Sequence, residues 1–229
     1  RILILSNPHN PAGIVWPRET LERLASFCHS RGIIVISDEI HCDMALFGNR
    51  HIPFASVSPE AAACSITFGA PSKTFNIAGI VSSYSVVPND SLRHRFHEWM
   101  EANEMNAAPL FSPIATIAAF RKGEEWRKQM LEYVEGNINF LTDYCREKMP
   151  EIKPLRPQAS FLVWLDCRSL GLDHDQLIDL FINKSGLALN DGEMFNPGGQ
   201  GFMRLNVGTP RKILKSALDR LHKAISENL

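Results

Sequence analysis

Two spacings of apolar residues alternate along this chain. Short β-favouring runs at residues 2–5, 33–36 and 65–68 are bounded by turn or polar residues and read as buried strands. A fourth run, 80–87, is stopped by Pro88-Asn89-Asp90 and reads as another. Between the first two, Pro17 opens a stretch in which Leu21, Leu24, Phe27 and Cys28 share one helical face, and Gly32 closes it. Strands alternating with helices predict an α/β unit with a mostly parallel sheet covered on both faces. In such sheets ligands lie beyond the carboxyl ends of the strands.

The pattern changes after about Lys122. Trp126, Met130, Tyr133, Val134, Asn137, Leu141 and Tyr144 keep helical spacing as far as Pro150, which predicts a long helix over about 124–149. Strands are expected at 161–165, 187–190 and 202–206. Asp173 and Gln176 have the spacing of a capping box for a helix reaching about Lys184. Thr209-Pro210 starts a last helix with Ile213, Leu214, Ala217, Leu218, Leu221 and Ile225 on one face. The expected organisation is a partial α/β large domain over 1–122 and a small α+β domain over 123–229, with the long helix connecting them.

Composition narrows the function class. Of 229 residues 45% are hydrophobic, enough for a substantial core. A net charge of −1 points to neither a nucleic-acid nor a membrane surface. No run of 18 apolar residues occurs, and residues 2–5 are too short for a signal peptide. The five cysteines are odd in number, scattered and without a CxxC pair, which fits a reducing cytoplasm and small buried thiols rather than a disulfide framework. His94 and His97 stand at i,i+3 spacing without an evident third ligand, so a surface helix is expected rather than a metal site.

Three polar signals follow the first three strands. Lys73 lies in Ser72-Lys73-Thr74, ahead of the small pair Ala78-Gly79. A loop lysine is ordinarily a solvated charge, but one held in a pocket can form a Schiff base with an aldehyde cofactor and later act as a general base. Asp38 follows a branched apolar run, so a partly buried carboxylate is expected. It is either a helix cap or structural ion pair, or the partner of a pyridinium N–H, which would keep that ring an electron sink. Asn10 sits in the double turn Asn7-Pro8-His9-Asn10-Pro11, where either asparagine can be turn chemistry and Asn10 can also donate to a phenolate oxygen. His41 can reach the same oxygen or be a histidine with a backbone partner. Ser72 can bind phosphate or cap a turn. Arg204 interrupts an apolar strand and either points to solvent or clamps a carboxylate bidentately. Arg211 reads as the surface start of the last helix.

In order, NPHNPAG, SDEIH, APSKTFNIAG and GFMRLNVGTPR resemble the fold-type I pyridoxal-phosphate (PLP) enzymes of the class I/II aminotransferase superfamily. The DEIHCD and SKTFNIAGI wording is most similar to the MalY/PatB branch of cystathionine β-lyases, or C–S lyases. The resemblance covers essentially all 229 residues. It implies the C-terminal part of an aspartate-aminotransferase-like large domain, followed by the small domain. It also implies Lys73 as the Schiff-base lysine, Asp38 at the pyridine nitrogen, and Asn10 with His41 at the ring's 3-oxygen. Ile40 falls under the ring, Ser72 at the phosphate and Arg204 at the substrate α-carboxylate.

Two positions depart from the common aminotransferase pattern. Ala70 stands where many members carry Ser or Thr, and Val81 where they carry a phosphate-binding Arg; both are easier to place in the C–S lyase branch. Family members also carry a segment ahead of NPHNPAG that supplies a phosphate loop and much of the dimer contact. The chain therefore reads as the C-terminal part of a longer enzyme, which alone would hold PLP weakly.

The expected activity is α,β-elimination from a sulfur-containing amino acid. The alternatives are an amino-acid aminotransferase, a non-catalytic aminotransferase-like effector domain, or an inactive fragment. The expected partners are a small amino-acid substrate and a second copy in a homodimer, with no nucleic acid and no membrane.

Overall fold

The computed structural model describes residues 1–195 and 198–228. The chain divides into two compact units, one of Arg1–His9 with Ile14–Gln129 and the other of Asn10–Gly13 with Met130–Leu229.

The first unit is built on a four-stranded sheet in the order β1 (Ile2–Ser6), β2 (Ile34–Asp38), β3 (Ser65–Gly69), β4 (Tyr84–Val86). The first three strands are parallel, and β4 runs antiparallel to β3. Helix α1 (Arg18–Ser30) makes the crossover from β1 to β2, and α2 (Pro59–Cys64) leads into β3. Ser58 caps α2 by accepting the Ala61 N–H, and Pro59 fills the first helical position, where no N–H is needed. Leu5, Leu21, Ala25, Cys28, Val35, Phe54, Val57 and Ala61 form one buried cluster between this layer and the sheet.

The opposite face departs from the expected two-sided cover. Ile2 and Ile4 are 65% and 75% exposed, and Phe27 lies outside the buried stripe of α1. Side chains alternate across a strand, so a helix on one face covers only every second residue of β1.

Beyond β3 come α3 (Pro71–Thr74), α4 (Asp90–Ala102) and α5 (Ser112–Lys122). The strand expected over 80–87 shrinks to Tyr84–Val86. Ala78–Ile80 is a 3-10 turn, and Val81 has φ 47, a left-handed conformation that a β-branched residue adopts only under constraint and that ends an extended run. Hydroxyls from α5 hold this turn: Ser112 Oγ donates to the Ile80 carbonyl, and Ser82 Oγ lies 3.0 Å from Thr116 Oγ1.

The long helix α6 (Glu124–Lys148) carries the boundary between the units. The second unit has a four-stranded antiparallel sheet, ordered β5 (Lys153–Leu155), β6 (Leu162–Asp166), β8 (Phe202–Asn206), β7 (Asn190–Asp191). Helix α7 (His174–Asp179) opens with the expected capping box, both bonds being made, and runs into a π turn over Leu180–Lys184. Helix α8 (Arg211–Asn228) buries Leu214, Leu218, Leu221, Ala224 and Ile225, while Ile213 is exposed. The strand expected at 187–190 is reduced to the two residues of β7.

Buried Asn137 on α6 donates to the Val207 and Thr209 carbonyls at 2.8 Å each and accepts from Arg211 Nε at 2.5 Å. Arg211 also lies over the Phe140 ring, so it anchors the start of α8 instead of standing in solvent.

Asn10–Gly13 belongs to this unit because the Gly13 carbonyl accepts the N–H groups of Gln158 (2.8 Å) and Ala159 (3.1 Å). Gly13 has φ +66, and a Cβ there would sit 2.4 Å from Pro157 Cβ. Gly13→Ala is expected to lower stability by about 1–3 kcal/mol, read as an earlier urea midpoint; an unchanged midpoint would mean that the Gly13 turn does not need its left-handed φ.

Candidate functional site

In the first unit, parallel pairing brings the ends of β2 and β3 to the same sheet edge, with Asp38 opposite Phe68. Asp38 ends β2, and the chain turns through Ile40 and His41. Lys73 is the third residue of α3, four residues past the end of β3, and its side chain is exposed. Pro71 starts that short helix, and Asn76, a residue that tolerates φ 54, leads the chain out after it. Ser72 and Ile40 are half-buried, and His41 is buried. An amine, a carboxylate and an imidazole therefore come from two adjacent loops at one edge of a parallel sheet, the place where such sheets bind ligands.

Asp38 corrects the expectation of burial. Its side chain is exposed, and Oδ1 accepts the Ile40 N–H at 3.1 Å. The buried carboxylate is its neighbour Glu39. Glu39 Oε1 accepts from Ser37 Oγ (2.9 Å) and the Phe54 N–H (2.8 Å), and Oε2 lies 2.8 Å from His51 Nε2. A carboxylate with three donors tolerates burial, whereas Asp38 with one backbone donor faces solvent. Glu39 and His51 thus staple the 39–54 segment behind the turn that carries Asp38 and His41. Sequence reasoning passed over both. The signal was the acidic pair itself, since consecutive residues leaving a strand point to opposite sides.

In the second unit, Arg204 and Asn10 meet across 194 residues: Arg204 Nη1 donates to Asn10 Oδ1 at 2.7 Å. Nη2 donates to Asn190 Oδ1, also at 2.7 Å, from the facing position on β7. The guanidinium stands 4.7 Å above the Phe195 ring. Burial lowers its pKa from the ordinary value, yet an arginine stays cationic at any physiological pH. With Oδ1 engaged by Arg204, Asn10 is left with its Nδ2 hydrogens as donors; this amide orientation follows from the hydrogen-bond network.

A cavity of about 630 Å³ in the first unit is lined by Glu39, Cys42, Asp43, Tyr84, Phe120 and Arg127, among others. Asp38, His41, Ser72 and Lys73 are not among its walls. Its one thiol is no nucleophile, because burial, with help from the Asp43 and Glu39 charges, pushes Cys42 up to about 12. Burial likewise pushes Cys145 up to about 12. All five cysteines are free. Among the described residues no group of three His, Cys, Asp or Glu side chains could hold a metal ion, and no helix is long and apolar enough to cross a membrane. His94 and His97 lie on α4, which buries no residue.

The family model described as aminotransferase class I and II matches residues 1–221. The chain belongs to this family. Among curated members of the aminotransferase class I and II family, cystathionine beta-lyase PatB of Bacillus subtilis (strain 168) is 40% identical over 225 residues, 98% of this chain and 58% of the relative. Protein MalY of Escherichia coli (strain K12) is 34% identical, over 98% of this chain and 57% of the relative. The crystal structure of cystalysin from Treponema denticola, which contains a pyridoxal 5'-phosphate cofactor, matches with a TM-score of 0.96 at 31% identity, covering 99% of this chain and 58% of that one. The chain thus spans a little under three-fifths of the length of these relatives. Such matches establish the α/β fold of this family for the chain.

The Glu39 staple gives a direct stability test. Glu39→Ala leaves the Ser37 hydroxyl, the Phe54 N–H and the His51 ring without their acceptor. It is expected to destabilise the chain by about 3 kcal/mol in urea denaturation, with Glu39→Gln milder. A loss below about 0.5 kcal/mol would show the network to be incidental.

Proposed function

We propose that the whole protein of which this chain forms part is a PLP-dependent C–S β-lyase, acting on sulfur-containing amino acids by α,β-elimination. The single observation that carries this reading is the 40% identity to cystathionine beta-lyase PatB across nearly the whole chain, with the four motifs in order. The donor set supports the cofactor, since an exposed primary amine and an exposed carboxylate leave the ends of adjacent parallel strands. When bound, PLP supplies an aldehyde carbon and an electron-accepting ring.

Lys73 would hold the cofactor through Nζ and, once released, take the α-proton of the substrate on the same nitrogen. Asp38 would accept the ring N–H and keep it protonated. Asn10, its Oδ1 already engaged, would donate Nδ2–H to the ring oxygen beside His41. Ile40 would pack against the ring and Ser72 donate to phosphate. Arg204 would receive the substrate α-carboxylate through its fork. The domain reading belongs to the same proposal: residues 1–122 as part of the cofactor-binding domain and 123–229 as the small domain.

An aminotransferase needs the same lysine and carboxylate, so the reaction is tested directly. The full-length protein is expected to release pyruvate from cystathionine without any added 2-oxo acid. A strict requirement for a 2-oxo acid would replace the lyase reading with transamination. Lys73→Ala is expected to remove the visible absorption of the cofactor and lower kcat by at least about 10²–10⁴-fold. Retention of both would remove Lys73 from its proposed role.

A cytoplasmic homodimer completes the proposal. Leu110 and Phe111, just ahead of α5, and Ile114 in its first turn are 80%, 73% and 67% exposed, large apolar side chains of the kind that protein contacts bury. A second copy is the occupant that the family resemblance implies. Ile114→Lys in the full-length protein is expected to weaken self-association at least about tenfold in sedimentation equilibrium; an unchanged dimer would place the interface elsewhere.

A further inference from the structure

The surroundings of Arg204 are unusual in what they lack. Its Nη1 and Nη2 each donate to an oxygen, and both oxygens belong to neutral amides, Asn10 Oδ1 and Asn190 Oδ1. Among the described residues no carboxylate forms an ion pair with it. The acid next to Asn190 along the chain is Asp191. Its Oδ1 accepts the Glu193 N–H at 3.0 Å and its Oδ2 lies 3.5 Å from His174 Nε2, so its carboxylate is engaged elsewhere.

An aromatic stack supports the guanidinium as well. The group stands over Phe195, whose ring meets the edge of Trp164 at 5.5 Å and 85°, and Trp164 stacks on Phe202 at 5.4 Å and 12°. Among the described residues Arg204 Nε is buried with no hydrogen-bond partner. Of the five N–H donors of the fork, two are held by amides and one is enclosed. Among the described residues, the second hydrogen of each Nη is left for an incoming acceptor.

A cation fixed this firmly would ordinarily be neutralised by an acid. A carboxylate at 190 would have the same shape as the amide and make the stronger, charge-assisted bond. It would also cancel the charge that a substrate carboxylate must find. We propose that Asn190 is a specificity-determining positioning residue: its neutral oxygen aims the Arg204 guanidinium while leaving the charge whole, which reserves it for the carboxylate of an amino acid. This rests on the reading of Arg204 as the carboxylate receptor. Asn190 tunes that receptor without itself touching substrate.

The test uses the full-length holoenzyme, with propionate as an unreactive carboxylate probe, propionamide as its neutral counterpart and calorimetry as the readout. The KM for cystathionine is measured alongside. Asn190→Asp is expected to weaken propionate binding roughly fivefold, leave propionamide unchanged and raise KM by a similar factor, with the loss in KM rather than kcat and no fall in thermal midpoint. A merely structural asparagine predicts propionate binding and KM intact in Asn190→Asp, and that result overturns the proposal. Asn190→Ala, which removes the aim without adding charge, is expected to weaken propionate less than Asn190→Asp does; equal or greater loss in the alanine variant also overturns it. Arg204→Ala separates the two layers. If it keeps the preference for propionate over propionamide, the assignment of Arg204 fails. If it loses that preference while Asn190→Asp behaves as wild type, only the role of Asn190 falls.

Discussion

Parallel pairing of β2 with β3 is the constraint on which the first unit's chemistry depends. Two parallel neighbours must end at the same sheet edge, and a connection of a dozen or more residues must return the chain between them. The 39–64 segment is that connection, and the price of its length is a loop that needs internal anchors. Glu39, buried and bonded to Ser37, His51 and Phe54, supplies them. Asp38 and Lys73 can therefore leave adjacent strands with exposed side chains while the backbone behind them is fixed. An exposed acid and amine on a rigid edge are available to a ligand in a way that a buried, bonded pair is not.

The adjacent acids Asp38 and Glu39 show how one dipeptide divides two tasks. Both follow an apolar strand, and from composition alone either could be the buried one. The donors decide. Glu39 turns toward a hydroxyl, a backbone N–H and an imidazole; Asp38 turns toward the loop edge with one backbone N–H. A carboxylate with three donors has its desolvation offset, and the other does not need the offset because it keeps its water.

Much of the fold was legible because the chain obeys simple periodicities where a single element decides the outcome. The α6 stripe, the Asp173 capping box, the Pro-opened α1 and the strand at 202–206 each express a local rule. What was not legible depended on what lies across from a residue. Ile2, Ile4, Phe27 and Ile213 have the composition of core, yet the described chain places no cover over them. Val81 reads as strand, but hydroxyls on α5 hold its neighbours in a turn and force it to φ 47. Arg211 reads as surface, but Asn137, 74 residues earlier, claims its guanidinium. At the candidate site the same division holds. Motif order named Lys73, Asp38, Asn10 and Arg204, whereas Glu39, His51 and Asn190 emerge only when the contacts they make are seen.

The contrast between the two polar centres carries the argument one step further. Around Glu39 the chain surrounds a buried charge with every donor it can use, including an imidazole, as a group serving stability should be surrounded. Around Arg204 it does the opposite, offering amides where acids of the same shape would bind more strongly. Local stability alone favours an aspartate at 190. An asparagine there makes physical sense if the guanidinium must keep its charge for something that arrives later, and the strained or under-stabilised places of a fold are where function concentrates. The two centres differ in the sign of their charge, but the more informative difference is that one is electrostatically closed and the other is left open.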